Sequence, residues 1–197
     1  KHSALRQNIK TTFLAWQYMT SPPKIQEIAL RQGTVLPLSE ARAISEGLTH
    51  ARPQFVAWRA ALINEARRDG GLVRDLFGRE RWVRGLNAID PGARAAGERE
   101  VSNFPAQAGL GGIIKGSMRA VQELYRQAGG SLINQIHDEL VGWVPDMNER
   151  MRDEFAHAVA EAMLWKELSV PMEVEVGFGR NWSDAKDGVG GSTSVRG

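Results

Sequence analysis

The chain has 197 residues, 42% of them hydrophobic and six of them Trp, enough for one sizeable domain or two small ones around a true core. It has no Cys, which excludes disulfides and thiolate metal sites and suits a reducing interior. The net charge of +2 conceals an asymmetry: residues 1–126 carry 19 Lys and Arg against 11 Asp and Glu, whereas residues 127–197 carry 6 against 12.

Nineteen of the 25 cations are Arg, whose planar fork suits bidentate phosphate contacts, so the first part favours a polyanion. The same asymmetry is also what an ordinary solvated surface shows. No apolar run approaches the roughly 18 residues that span a bilayer, and no signal-peptide pattern opens the chain.

In chain order the pattern predicts mixed helix and strand. Ser3 to about Met19 has helical spacing and is stopped by Ser21-Pro22-Pro23. Lys24 to Gln32 predicts a short helix, and Ser39 to Leu48 another, with Ser39 as its N-cap. Pro53 to Arg68 is longer and ends at Asp69-Gly70-Gly71. Leu72 to Phe77 and Arg81 to Val83 flank Gly78-Arg79-Glu80 as a small hairpin. Ala93 to Val101 is helical, Pro105 reads as a break, and a second helix from about Ala108 to Gln127 carries Leu110, Ile114, Val121 and Tyr125 at helical spacing. Met147 to Leu164 forms an amphipathic helix with Met151, Phe155, Val159 and Met163 on one face, and Met172 to Val176 a strand. The Gly/Ser-rich tail, 187–197, is expected to be flexible.

Between the last two helices lies Asn134-Gln135-Ile136-His137-Asp138-Glu139-Leu140-Val141. It sets His-Asp-Glu between two apolar stretches, Ser131 to Ile136 and Leu140 to Val144, so a hairpin there presents His137 and Asp138 at its tip. A carboxylate on such a support suits Mg²⁺, which takes oxygen ligands from one or two carboxylates plus substrate phosphates. An Asp that merely starts a turn gives the same local pattern.

Two further constellations sit on helices. Arg6, Lys10, Leu14 and Tyr18 are spaced by four and form one stripe, two cations followed by an apolar residue and an aromatic. That stripe suits a triphosphate at one end and a sugar and base at the other, and equally a half-solvated helix face. Arg99, Asn103 and Gln107 repeat the spacing and can donate to the acceptors every base pair shows in the minor groove.

The order and spacing of these motifs resemble the family A DNA polymerases, the DNA polymerase I family. They run Arg6-x3-Lys10-x7-Tyr18, Leu76-Phe77-Gly78-Arg79, Arg99-x3-Asn103-x3-Gln107, Gln135-Ile136-His137-Asp138-Glu139, then Val174-Glu175-Val176-Gly177 with Asn181-Trp182. The resemblance covers nearly the whole chain to about Lys186 and implies an α+β right-hand polymerase fold. On it, residues 1–84 are fingers and 85–186 a portion of the palm. It implies a template-directed DNA polymerase in a cytoplasmic setting, bacterial or in an infected host cell, with primer-template DNA and deoxynucleoside triphosphates as partners. Arg6, Lys10, Leu14 and Tyr18 then bind the incoming nucleotide. Arg99, Asn103, Gln107 and His137 contact primer and template. Asp138 is a metal ligand and catalytic, with Glu139 the neighbouring catalytic carboxylate, at two Mg²⁺ ions shared with an aspartate outside this sequence.

Leu14 stands where the family usually has Phe or Tyr, and Met19 and Ala108 where it usually has Gly. Such variation suggests a viral source. The chain does not begin with Met, and the family's earlier palm motif and thumb have no counterpart in residues 1–5. The expectation is a fragment, a spliced product or one polypeptide of a split polymerase, completed by an N-terminal polypeptide. Two other classes fit less of the pattern. A metal-dependent hydrolase with His137 as base lacks a second ligand cluster among His2, His50 and His157. A non-catalytic nucleic-acid-binding module with the same fold leaves the carboxylates without a role.

Overall fold

The computed structural model describes residues 12–196, so Arg6 and Lys10 lie outside the described residues. The chain divides into two compact units, one up to Ala108 and one from Gly109.

The first unit opens with α1, residues 12–17. Its end is built by two hydrogen bonds: Met19 N–H donates to Trp16 C=O at 3.0 Å and Thr20 N–H to Ala15 C=O at 2.9 Å. That pair is a Schellman motif, whose penultimate residue must be left-handed. Met19 takes φ 54° there, a conformation that favours glycine. Next, α2 (Pro22–Arg31) starts on a proline, whose missing N–H would be unpaired in a first turn anyway.

The helix α3 spans Leu38–Ala51 and begins one residue earlier than Ser39 predicts. Pro37, fixed at φ −59° in extended geometry, is the flanking residue, and its carbonyl accepts from Ala41 N–H at 3.0 Å. Ser39 lies inside the helix and caps nothing. By contrast α4, Pro53–Arg68, has the expected bounds. Strands β1 (Leu72–Arg74) and β2 (Glu80–Trp82) pair antiparallel, Leu72 opposite Trp82 and Arg74 opposite Glu80. β1 is shorter than the expected Leu72 to Phe77 because residues 75–79 form the turn, and β2 keeps three residues but starts one before the expected Arg81. A 3-10 turn, Arg84–Asn87, leads into α5, Pro91–Gln127.

This helix is continuous, and the expected break at Pro105 is absent. Pro105 has no N–H to give the Val101 carbonyl, a loss that would end most helices. Packing offsets it: Val101 is fully buried and Phe104 packs on the same core, so tertiary contacts override local propensity. That core joins Ile63 and Ala66 of α4 to Val73, Val83, Leu86 and Val101. Each of its Ile, Leu and Val side chains contributes about 1.5–3 kcal/mol by leaving water. Gly97 is required within α5, since a Cβ there would lie 2.6 Å from Leu86 N.

The second unit takes α5 from Gly109 onward and adds β3 (Ser131–Ile136), β4 (Glu139–Trp143), α6 (Glu149–Met163) and β5 (Glu173–Gly177). The short α7 (Trp182–Lys186) and β6 (Ser192–Arg196) complete it. Val121, Tyr125 and Val159 form its core, with Phe155, Met163, Leu140 and Val176 around them. Met151 and Leu110, expected on apolar faces, are exposed. Asn148 caps α6, its Oδ1 accepting from Met151 N–H at 2.9 Å.

The expected flexible tail is instead strand β6, paired antiparallel with β5 from Glu173↔Arg196 to Gly177↔Ser192. Its Val195 lies opposite Val174, and Arg152 Nη1 donates to the Gly190 carbonyl at 2.8 Å, which ties the glycine-rich approach to α6. Gly composition describes freedom in the unfolded chain, and here the freedom serves turns with φ of 68° at Gly188 and 101° at Gly191. Among the described residues no helix is long and apolar enough to cross a membrane.

Candidate functional site

In the second unit the apolar strands β3 and β4 pair with Ile136 opposite Glu139, so His137 and Asp138 form a two-residue turn at the tip. The first position of such turns often needs positive φ. His137 supplies it at φ 54°, in the left-handed region that His visits more readily than most side chains. The Gln135 side-chain amide donates to the His137 carbonyl and holds the turn from below. Register shifts between Leu132 and Asn134, a bulge that twists β3 locally. Both His137 and Asp138 are exposed, as the sequence anticipates.

Glu139 is engaged differently. Lys186 Nζ donates to its Oε1 at 2.8 Å, and the same ammonium lies 5.6 Å from the Trp182 ring centroid. The hydrogen bond to Glu139, that carboxylate's charge, and more weakly Asp138 and Asp187, raise the Lys186 pKa above its usual value. Lys186 is placed by α7, whose start is capped by Asn181 Oδ1 accepting from Asp184 N–H at 3.0 Å. The motif Asn181-Trp182 thus delivers a cation to the hairpin. Sequence reasoning missed Lys186, although its place four residues after Trp182 on a helix was the available signal.

As oxygen donors on a rigid turn, Asp138 and Glu139 fit a hard divalent cation. No group of three or more His, Asp or Glu able to hold a metal occurs among the described residues.

In the first unit the structure joins two predicted site residues 89 positions apart. Gln107 Nε2 donates to the Tyr18 hydroxyl at 2.6 Å. Leu14 and Tyr18 are exposed on and just after α1. Because α5 continues through Pro105, Arg99, Asn103 and Gln107 stay on one helical stripe. Arg99 and Gln107 are exposed and Asn103 is half-buried. The Leu76-Phe77-Gly78-Arg79 segment is organised by Asp75, which accepts from Phe77 N–H at 2.9 Å, Arg79 N–H at 2.8 Å and Arg79 Nε at 2.7 Å. Arg79 also donates to the Ala108 carbonyl, so the turn fixes α5 one residue after Gln107.

A mainly helical unit followed in the chain by a unit with antiparallel hairpins, one of them carrying His-Asp at its turn, is the C-terminal part of the α+β right-hand polymerase fold. The POL domain of Pol1 from M. smegmatis, solved in complex with DNA primer-template and dNTP, matches 81% of this chain and 27% of its own. The TM-score is 0.68 at 26% identity.

The family model of DNA polymerase family A matches residues 2–184, and the chain belongs to that family. It is 35% identical to the thermostable DNA polymerase I of Thermus aquaticus over 158 residues, which are 80% of this chain and 19% of that one. The corresponding Thermus thermophilus enzyme is 32% identical over 201 residues, 92% and 24%. The DNA polymerase I of Mycobacterium leprae is 33% identical over 131 residues, 63% and 14%. The chain spans a quarter or less of the length of these relatives.

Proposed function

We propose that the chain is the C-terminal fingers-and-palm portion of a template-directed DNA polymerase, which adds deoxynucleotides to a primer 3′ end by phosphoryl transfer. The observation that carries this is the β3–β4 hairpin, which holds Asp138 at a tight turn and Glu139 in the closing pair of the ladder. Family membership over residues 2–184 supports it. Residues 1–84 serve as fingers and 85–186 as palm.

Each group then has a task that its chemistry suits. Arg6 and Lys10 grip the triphosphate, and Tyr18, oriented by Gln107, packs at the templating position. Leu14 faces the incoming sugar with an aliphatic surface. Arg99, Asn103, Gln107 and His137 contact primer and template near the terminal pair, donating to groove acceptors shared by all base pairs. Asp138 holds Mg²⁺ together with a second aspartate from outside this sequence. Glu139, neutralised by Lys186, is the secondary carboxylate. When bound, the two ions supply the charge that lowers the pKa of the primer 3′-hydroxyl and offsets developing phosphoryl charge. A further palm segment, on the same polypeptide or on a partner, contributes that aspartate and the thumb.

The test is Asp138→Asn in the assembled enzyme, assayed by primer extension and by DNA binding. The variant removes a metal ligand and leaves the phosphate grips intact, so extension is lost while DNA affinity stays within about twofold. Retention of a substantial fraction of extension would remove Asp138 from the metal site.

A further inference from the structure

One aromatic cluster in the first unit has no part in the proposed reaction. Phe13, Trp16, Phe55 and Trp58 form a ladder, with ring centroids 6.0, 5.4 and 5.6 Å apart in that order. Its second ring is core: Trp16 is buried, and its Nε1 donates to Thr49 Oγ1 at 3.2 Å. Its outer end is open, with Trp58 of α4 45% exposed. Arg59 lies over two of the rings, 5.7 Å from Trp16 and 5.6 Å from Phe55.

Arg59 is unusual in two respects. Among the described residues it has no carboxylate partner, whereas ten other cation–carboxylate contacts do form. Its Nη1 is buried without any acceptor. The ring faces attract the cation and account for its seat, but a buried N–H without an acceptor is costly. The surroundings keep a basic excess: α4 carries Arg59, Arg67 and Arg68 against Glu65, with Arg52 just before it and Asp69 just after it, and of these Arg67 is paired with Glu98.

We propose that the α4 face bearing Trp58, with Phe55 and Arg59 behind it, is a stacking site for unpaired deoxynucleotides. An exposed indole takes the face of an unstacked base, and the guanidinium behind it supplies positive charge toward the adjoining phosphate. Stacked aromatics on a basic track are how single strands are held without sequence preference. A duplex has its base faces covered already, so the site discriminates single from double strands. Only the strand's identity as unpaired template rests on the polymerase reading; the binding chemistry stands apart from it.

The experiment measures fluorescence anisotropy of a labelled oligothymidylate and of a duplex of equal length with the 197-residue chain and with Trp58→Ala and Trp58→Phe. The expected result is a loss of single-strand affinity of about tenfold or more in Trp58→Ala. Duplex affinity should change less than twofold, and Trp58→Phe should keep most single-strand binding. Arg59→Ala, with folding checked by circular dichroism, should weaken single-strand binding and reduce its salt dependence. Equal losses on both nucleic acids, or unchanged single-strand binding in Trp58→Ala, would overturn the proposal. Those outcomes leave the polymerase reading untouched, because Asp138→Asn tests it separately.

Discussion

Asp75 is buried to the last side-chain atom, yet it is charged. Burial alone would raise its pKa; the Arg79 guanidinium and the N–H groups of Arg79 and Phe77 outweigh that and hold it below the usual 3.8. A folded-state pKa that is depressed contributes stability present above the unfolded value of about 3.9, and lost as pH falls through the folded value. Asp75→Ala should therefore cost the first unit about 2–3 kcal/mol at pH 7. The gap to the parent should narrow below about pH 4, where the parent's Asp75 begins to lose its advantage. Denaturant unfolding at pH 7 and pH 3, followed by Trp fluorescence, measures both. A gap independent of pH would show that the carboxylate's charge is not what matters. Lys10 belongs to the same scale. A charge aimed at a triphosphate holds it in the ground state and acts more strongly as charge develops in the transition state, so Lys10→Ala should raise KM for nucleotides and lower kcat in the assembled enzyme. Unchanged nucleotide kinetics would make the Arg6–Lys10–Leu14–Tyr18 stripe a solvated helix face.

Elements were legible wherever a local signal had no competitor. The bounds of α4 follow from Pro53 and the Asp69-Gly70-Gly71 stop, and the β3–β4 hairpin follows from apolar runs around His-Asp-Glu. The misreadings share one cause. Ser39 is an excellent cap, but Pro37 had already fixed the extended residue from which α3 starts. Pro105 is an excellent breaker, but Val101 and Phe104 are committed to a core built from α4 and β1. The Gly-rich tail gains order from β5 and Arg152, both distant in sequence. At the site, the four-residue spacing of Arg99, Asn103 and Gln107 corresponds to one continuous helix, whereas Lys186 beside Glu139 and Gln107 beside Tyr18 are contacts across 47 and 89 residues that no spacing encodes. The Pro105 case is testable. Pro105→Ala restores the hydrogen bond to Val101 and removes ring crowding, worth about 3 kcal/mol in a helix interior, against about 0.4–1 kcal/mol of added unfolded-chain entropy. A net gain of about 2 kcal/mol in chemical denaturation is expected. A destabilised variant would show that the proline ring itself packs productively.

At the scale of the molecule, the charge split and the hairpin point to a division of labour: the segment through residue 126 is net +8 and the remainder, with Asp138, net −6. A basic surface binds DNA through its phosphates without needing a complete catalytic centre. Two-metal phosphoryl transfer, in contrast, needs several carboxylate oxygens around one point, and no three-member cluster of His, Asp or Glu occurs among the described residues. DNA binding and DNA synthesis should therefore separate experimentally. The 197-residue chain should bind duplex DNA weakly, with a Kd of roughly 10⁻⁴–10⁻⁶ M that rises steeply with salt. With Mg²⁺ and all four nucleotides it should not extend a primer. Adding a polypeptide that carries the second palm aspartate and a thumb should restore Mg²⁺-dependent extension and tighten binding. The restored activity should vanish again when Asp138→Asn is used in the same mixture. Template-directed synthesis by the chain alone would mean that its own residues complete the metal site, and the need for a second aspartate from elsewhere would be wrong.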